Sequence, residues 1–143
     1  MKTYRFNHFG QVNIEVLETL LKQQITPVFC AITHDEKGQL LNTNADTIAS
    51  EIAIGFADKY KTELYYCFEK KGVLQDINDD DSVIESITTA TYQELLEAKV
   101  IADGMLPKLN NCFHAINQNV HKVCIGKSEM LFQPQSKHTT IQK

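Results

Sequence analysis

The sequence predicts an α/β domain: a mainly parallel sheet with helices on both faces. Strand-type and helix-type hydrophobic patterns alternate along its 143 residues, as expected of layered α/β chains. The strand candidates 28–32, 64–68 and 122–126 are nearly continuous apolar runs, the pattern of strands covered on both faces. The length suits a single domain, 1–143, which buries about 68–70% of the surface its unfolded chain would expose. No internal repeat or low-complexity linker divides it.

Residues 4–12 alternate aromatic and polar side chains around Gly10 and predict a short strand or hairpin. Asn13 is placed to cap a helix whose apolar face is Ile14, Leu17, Leu20 and Leu21, with Pro27 beyond its end. The run 28–32 follows as a buried strand, and the polar segment 33–39 with Gly38 as a turn. From 45 to 59 a helix is predicted, with Ala45, Ile48, Ala49, Ile52, Ala53 and Phe56 on one stripe. Burying Ile48, Ile52 and Phe56 would contribute about 1.5–3 kcal/mol each. The run 64–68 reads as an interior strand and 83–87 as a short one. Thr91-Tyr92-Gln93-Glu94 fits a capping box that opens a helix through Leu95, Leu96 and Ala98. Residues 105–119 form the third strong helix pattern, with Met105, Leu109, Cys112, Phe113 and Ile116 inward and Pro107 in its first turn. A buried strand at 122–126 and a short one at 139–141 complete the order.

The formal net charge is −4, and no basic stripe is present, which argues against a nucleic-acid partner. No run reaches the 18 apolar residues of a membrane span, and the first residues are too polar for a signal peptide. The four cysteines form no C-x-x-C pair and sit in apolar runs, so they are expected as buried reduced thiols of a cytoplasmic protein. Residues 76–81 begin like an EF-hand loop. Asp81 stands where that loop needs glycine and Ile87 where it needs glutamate, so a solvated hairpin tip is expected and no metal site is assigned. Gly126-Lys127-Ser128 is not a Walker A motif, because His121 stands where its first glycine belongs.

Three stretches carry candidate chemistry. The first is Asn42-Thr43-Asn44-Ala45-Asp46, two amides and a carboxylate at alternate positions as a helix opens. On spacing alone it fits plain capping, by Asn or by a loose Thr43–Asp46 box, better than it fits the orientation of a ligand or a lysine. The second, residues 66–74 with Glu69, Lys70, Lys71 and Gly72, leaves a strand end. The third is Asp103-Gly104-Met105-Leu106-Pro107-Lys108. Exits of parallel strands are where ligands sit in such folds.

In this order and at these separations the three stretches resemble the acetylglutamate kinases, a branch of the amino-acid kinase family. The resemblance extends from Phe9-Gly10-Gln11-Val12, similar to the family's substrate-side hairpin, to the end of the chain. It implies a three-layer amino-acid kinase fold, of which this chain corresponds to the C-terminal, nucleotide-binding lobe. It also implies transfer of the γ-phosphoryl of ATP to the side-chain carboxylate of an N-acylated glutamate, a step of arginine biosynthesis. Mg²⁺ would be carried by the nucleotide phosphates. By the same resemblance Asn42 contacts the acylglutamate, Asp46 holds catalytic lysine in place, and Lys108 stabilises the transferring phosphoryl group. Glu69, Gly72 and Met105 fall on the nucleotide side, with Glu69 where the family usually has Asp.

The family's first half carries a glycine-rich phosphate loop and a partner lysine, whereas all six glycines here are isolated. The expectation is therefore a lobe that needs its N-terminal counterpart, or a homo-oligomeric or other partner, for turnover. A non-catalytic nucleotide- or partner-binding module of the same fold is the alternative. A relative with a different acceptor is a third reading.

Overall fold

A computed structural model describes residues 12–35, 37–98, 100–101 and 103–143. The hairpin expected at 4–12 lies outside the described residues, apart from Val12. The chain then runs α1 (Ile14–Lys22), β1 (Ile32–His34), β2 (Leu40–Asn42), α2 (Ala45–Ala57), β3 (Glu63–Cys67), β4 (Ser86–Ile87), α3 (Thr89–Glu97), α4 (Leu106–Asn117), β5 (Lys122–Gly126) and β6 (Thr139–Ile141). Short 3-10 turns at Asp103–Met105 and Ser128–Leu131 flank α4 and β5.

Helix α1 starts where its cap predicts, the Asn13 side chain accepting from the Val16 N–H. In α2 the cap is Asn44, whose Oδ1 accepts from the Thr47 N–H at 3.1 Å, rather than Thr43. This leaves Asp46 in the first turn, where the helix dipole favours a carboxylate. In α3 the capping box forms one turn earlier than expected. Thr88 caps, and its backbone N–H donates to the Thr91 hydroxyl. Thr91 answers Thr88 at N3 with a hydroxyl doing the work usually given to Glu. Pro107 lies in the first turn of α4.

The main sheet has four strands in the order β3-β5-β6-β4, and a separate two-stranded unit pairs β1 with β2. Strand β3 runs parallel to β5 and β4 parallel to β6, while β5 and β6 are antiparallel. The sheet is thus mixed, with parallel pairs on both sides of one antiparallel pair. Leu64, Tyr66, Val123, Ile125 and Ile141 share the face that meets Ala53 and the α4 residues Leu109, Cys112, Phe113 and Ile116. Tyr92 of α3 stacks on Phe113 with ring centroids 4.4 Å apart. Among the described residues, α2 and α4 therefore cover this face, and α3 packs beside α4 through Tyr92. The other face carries Glu63, Tyr65 and Lys122, joined by a Lys122–Glu63 ion pair at 3.3 Å and a Tyr65 hydroxyl bond to Glu63.

Some strand expectations need correction. Residues 28–31 form no strand. Val28 is 92% exposed and Phe29 half-exposed, and only Ile32 enters β1. An interior strand needs neighbours beside it and cover on both faces, and this run has one backbone bond to the end of β2, from the Thr43 N–H to the Ala31 carbonyl at 2.9 Å, with its side chains left open. Strand β3, at the sheet edge, has one face against the helices and the other open, so its burial alternates along the strand. The same exposures correct the cysteines: Cys112 and Cys124 are buried, but Cys30 and Cys67 are exposed. Ile48, Ile52 and Phe56 of α2 are only half-buried, so each contributes less than the full burial of a core side chain. Residues 76–81 form the tip of a hairpin, closed by an antiparallel bridge between Leu74 and Val83.

Candidate active site

The carboxyl end of β3, the start of α2 and the start of α4 converge. Parallel pairing of Glu63–Cys67 with Lys122–Gly126 carries both strands to the same end of the sheet. The chain leaving β3 there lines a cleft with Phe68, Glu69, Lys70, Gly72, Val73 and Leu74. The opposite wall comes from Val100, Gly104, Met105 and Lys108, and Ile77 of the hairpin tip completes it. Its volume is about 510 Å³, within the range of about 300–1,000 Å³ common for small-molecule sites.

Lys108 and Asp46 are separated by 62 positions in sequence, yet Lys108 Nζ donates to Asp46 Oδ2 at 2.5 Å. Both are partly buried, the side chains 20% and 32% exposed. The ammonium also lies 5.0 Å from the centroid of the Tyr66 ring, a cation–π distance. The Tyr66 hydroxyl donates to the backbone carbonyl of Asp46 at 2.7 Å, and Ser50 Oγ lies 2.6 Å from the same phenol oxygen. Ser50 Oγ is also 3.1 Å from the Asp46 carbonyl. Two hydroxyl protons thus serve one carbonyl and one phenol oxygen, which leaves no polar atom of this triangle without a partner. Tyr66 therefore fixes the backbone of Asp46 with its hydroxyl and faces Lys108 with its ring. Burial pushes the Tyr66 phenol well above its ordinary range and raises the Cys112 thiol beneath Lys108 to about 12. Both groups stay neutral beside the ion pair.

Of the residues singled out in the sequence, Glu69, Gly72, Met105 and Lys108 line one cleft. Asp46 reaches it through Lys108. Asn42 does not line it: it ends β2, opposite Ile32, and is exposed. Gly72 has a packing reason of its own. A Cβ there would lie 2.6 Å from Thr139 Oγ1 and 2.8 Å from Val83 Cγ1. That Thr139 hydroxyl accepts from the Val73 N–H at 2.8 Å and donates to the Ile84 carbonyl at 2.7 Å, so it pins the strand exit to β6. The sequence reading missed Tyr66, Ser50 and Ile77. Tyr66 and Ser50 read as ordinary strand and helix residues, and nothing local signals that they meet.

An α/β sheet with a cleft at the carboxyl ends of parallel strands, lined by lysines and an apolar floor, defines a site for an anionic ligand with an apolar part. Residues 5–127 match the Amino acid kinase family, and the chain belongs to that family. Among curated relatives it is 47% identical over 131 residues to the acetylglutamate kinase of Cytophaga hutchinsonii, covering 92% of this chain and 50% of that protein. It is 51% identical over 115 residues to the acetylglutamate kinase of Phocaeicola vulgatus, covering 80% and 45%. The chain therefore spans about half the length of these relatives. A crystal structure from Streptococcus mutans UA159 superposes with a TM-score of 0.74 at 28% identity, over 93% of this chain and 49% of that one. The carbamate kinase of Giardia lamblia bound to AMP-PNP superposes with a TM-score of 0.67 at 15% identity, over 92% and 50%. That last likeness is one of fold alone.

Proposed function

We propose that this chain is the nucleotide-binding half of an acetylglutamate kinase, a cytoplasmic enzyme of arginine biosynthesis. It would move the γ-phosphoryl of ATP to the side-chain carboxylate of N-acetyl-L-glutamate. The observation that carries the reading is the Lys108–Asp46 pair, 2.5 Å apart at the wall of the cleft. In the transfer, the bond from the γ-phosphorus to the β,γ-bridging oxygen breaks. A bond to the acceptor carboxylate oxygen forms, ADP leaves with the electron pair, and an acyl phosphate results. Such a transfer needs alignment and positive charge on the equatorial phosphoryl oxygens more than covalent help.

Lys108 supplies that charge, with the N-terminal partial charge of α4 behind it. Asp46, fixed through Tyr66, keeps the ammonium aimed. Phe68, Val73, Leu74 and Met105 offer an apolar floor to the adenine, with exposed Glu69 at the rim and buried Gly72 in the wall. Mg²⁺ fits as a companion of the phosphates, since it commonly takes most of its ligands from them and from water. Asn42, at the end of β2, is assigned to the acylglutamate side, away from the nucleotide cleft.

Calorimetric titration of the chain with Mg²⁺ and AMP-PNP tests the reading. Saturable binding that weakens in Glu69→Ala and Met105→Ala supports it. A folded sample that takes up no nucleotide refutes it. When the remaining half of a relative such as the Cytophaga enzyme is supplied, Lys108→Ala is expected to abolish turnover and keep most of the nucleotide affinity. The alternative, a nucleotide-binding module without transferase activity, is favoured by the half-length coverage of the relatives. It predicts no turnover before or after that substitution.

A further inference from the structure

Lys70 and the hairpin tip have no part in the transfer described above. Lys70 lines the cleft together with Lys108, so two ammonium groups border the same space. Lys108 is held by Asp46. Lys70 donates to Asp80 Oδ1 at 2.6 Å, and Lys71 to Asp81 Oδ1 at 2.5 Å. The four aspartates of the tip divide their work. Asp76 Oδ1 accepts from the Asn78 N–H and Asp79 Oδ1 from the Asp81 N–H, at 2.9 Å each. Those two shape the turn, which Ser82 closes by accepting from the Asp76 N–H at 3.0 Å. Asp80 and Asp81 point outward to the lysines. The same tip places Ile77 on the cleft wall while leaving it 64% exposed.

We propose that Lys70 is a second phosphate-binding cation of the cleft, and that Asp80 on the hairpin tip holds its ammonium until a nucleotide's phosphates displace the carboxylate. The inference rests on the reading that the cleft binds nucleotide. The pair is exposed on both sides, 39% at Lys70 and 65% at Asp80, and exposed ion pairs are weak. A bound triphosphate brings several negative charges to the same ammonium and outcompetes a single carboxylate, since hydrogen bonds from cations to phosphate are among the stronger ones. The tip can then let go of Lys70 while the Lys71–Asp81 pair still tethers it. Lys127, just after β5, also acts on Asp80, and both lysines hold its carboxyl below the usual range, Lys70 most strongly. The hairpin thus acts as an electrostatic latch that keeps the basic end of the sheet neutralised while the cleft is empty.

The test is calorimetric titration of the whole chain with Mg²⁺ and AMP-PNP, and with adenosine as a probe lacking phosphates. Lys70→Gln is expected to weaken AMP-PNP binding by about tenfold and to leave adenosine binding unchanged. Asp80→Asn is expected to tighten AMP-PNP about threefold at low salt, and to give no gain when Lys70 is already Gln. Lys71→Gln, which removes a charge outside the cleft, is expected to stay within about twofold of wild type. Wild-type binding that Lys70→Gln leaves intact, or that Asp80→Asn fails to tighten, overturns the latch and leaves the nucleotide cleft standing. A folded wild-type chain that binds no AMP-PNP overturns both. Unfolding curves of each variant, expected to coincide with wild type, separate these outcomes from misfolding.

Discussion

Replacing Tyr66 with Phe isolates what one hydroxyl does for the ion pair. The ring is 5% exposed, and Phe fills the same space, so the packing on α2 and the face offered to Lys108 remain. The loss is the 2.7 Å bond to the Asp46 carbonyl and the 2.6 Å contact with Ser50. Ser50 is still 3.1 Å from the same carbonyl and can donate to it, so no buried donor is orphaned. The cost is then the net value of one hydrogen bond, about 1–1.5 kcal/mol. In urea this moves the midpoint by roughly 0.5–1 M with an unchanged slope. Tyr66→Ala removes the ring as well and is expected to cost about 3–5 kcal/mol. Adding Ser50→Ala to Tyr66→Phe leaves the Asp46 carbonyl without either hydroxyl, so the two changes together should exceed their sum. Urea unfolding of Tyr66→Phe, Tyr66→Ala, Ser50→Ala and the Tyr66→Phe/Ser50→Ala double variant is the assay. If Tyr66→Phe matches wild type, or is as damaging as Tyr66→Ala, the reasoning about the triangle is refuted.

Gly72→Ala is expected to destabilise by about 1–3 kcal/mol, because its Cβ would fall 2.6 Å from Thr139 Oγ1 and 3.0 Å from the Thr139 backbone nitrogen; thermal unfolding measures it. Thiol labelling of the native chain should modify Cys30 and Cys67 rapidly and reach Cys112 and Cys124 only on unfolding. Rapid native labelling of all four would contradict the core as described. The Cys112 thiol is raised from 9.0 to about 12 by burial. Between those values the unfolded chain has released that proton and the native chain still holds it. Stability from this group is therefore complete below pH 9 and falls as pH rises, by about 1.4 kcal/mol per pH unit. Comparing wild type with Cys112→Ala between pH 9 and 10 tests this, since the variant should lack that slope. For the ion pair itself, Lys108→Ala should change stability by less than about 1 kcal/mol, because both partners keep access to water. Urea unfolding alongside the activity assay checks it.

The local signals in the sequence were sufficient for much of the scaffold. Leu109, Cys112, Phe113 and Ile116 recur at helical spacing, and α4 buries all four. Asn13 and Asn44 sit where a side-chain oxygen can satisfy a free helix N–H, and both do. The pattern at 122–126 is fully apolar after Lys122, and β5 is flanked on both edges, by β3 and β6. Hydrophobic period and capping chemistry act over a few residues, so they can be read from the order of residues alone. The fate of 28–32 could not, because whether an apolar run is interior depends on what lies beside it. Nor could the cap of α3, where the local pattern pointed to Thr91 and the helix instead starts one turn earlier, capped by Thr88 with Thr91 at N3.

For the candidate site, the sequence supplied Asp46, Glu69, Gly72, Met105 and Lys108 as a set of motifs. Only the tertiary structure decided which of them share a cleft and left Asn42 outside it. Asp46 and Lys108 meet because α2 and α4 pack side by side with their first turns at the same end of the sheet. Tyr66 and Ser50 join them across 20 and four residues, and Lys70 and Asp80 meet across a hairpin of ten. The Lys108–Asp46 and Tyr66–Asp46 contacts are fixed by strand register and helix packing between separate elements, which no local pattern encodes, whereas Ser50 reaches Asp46 within one helical turn.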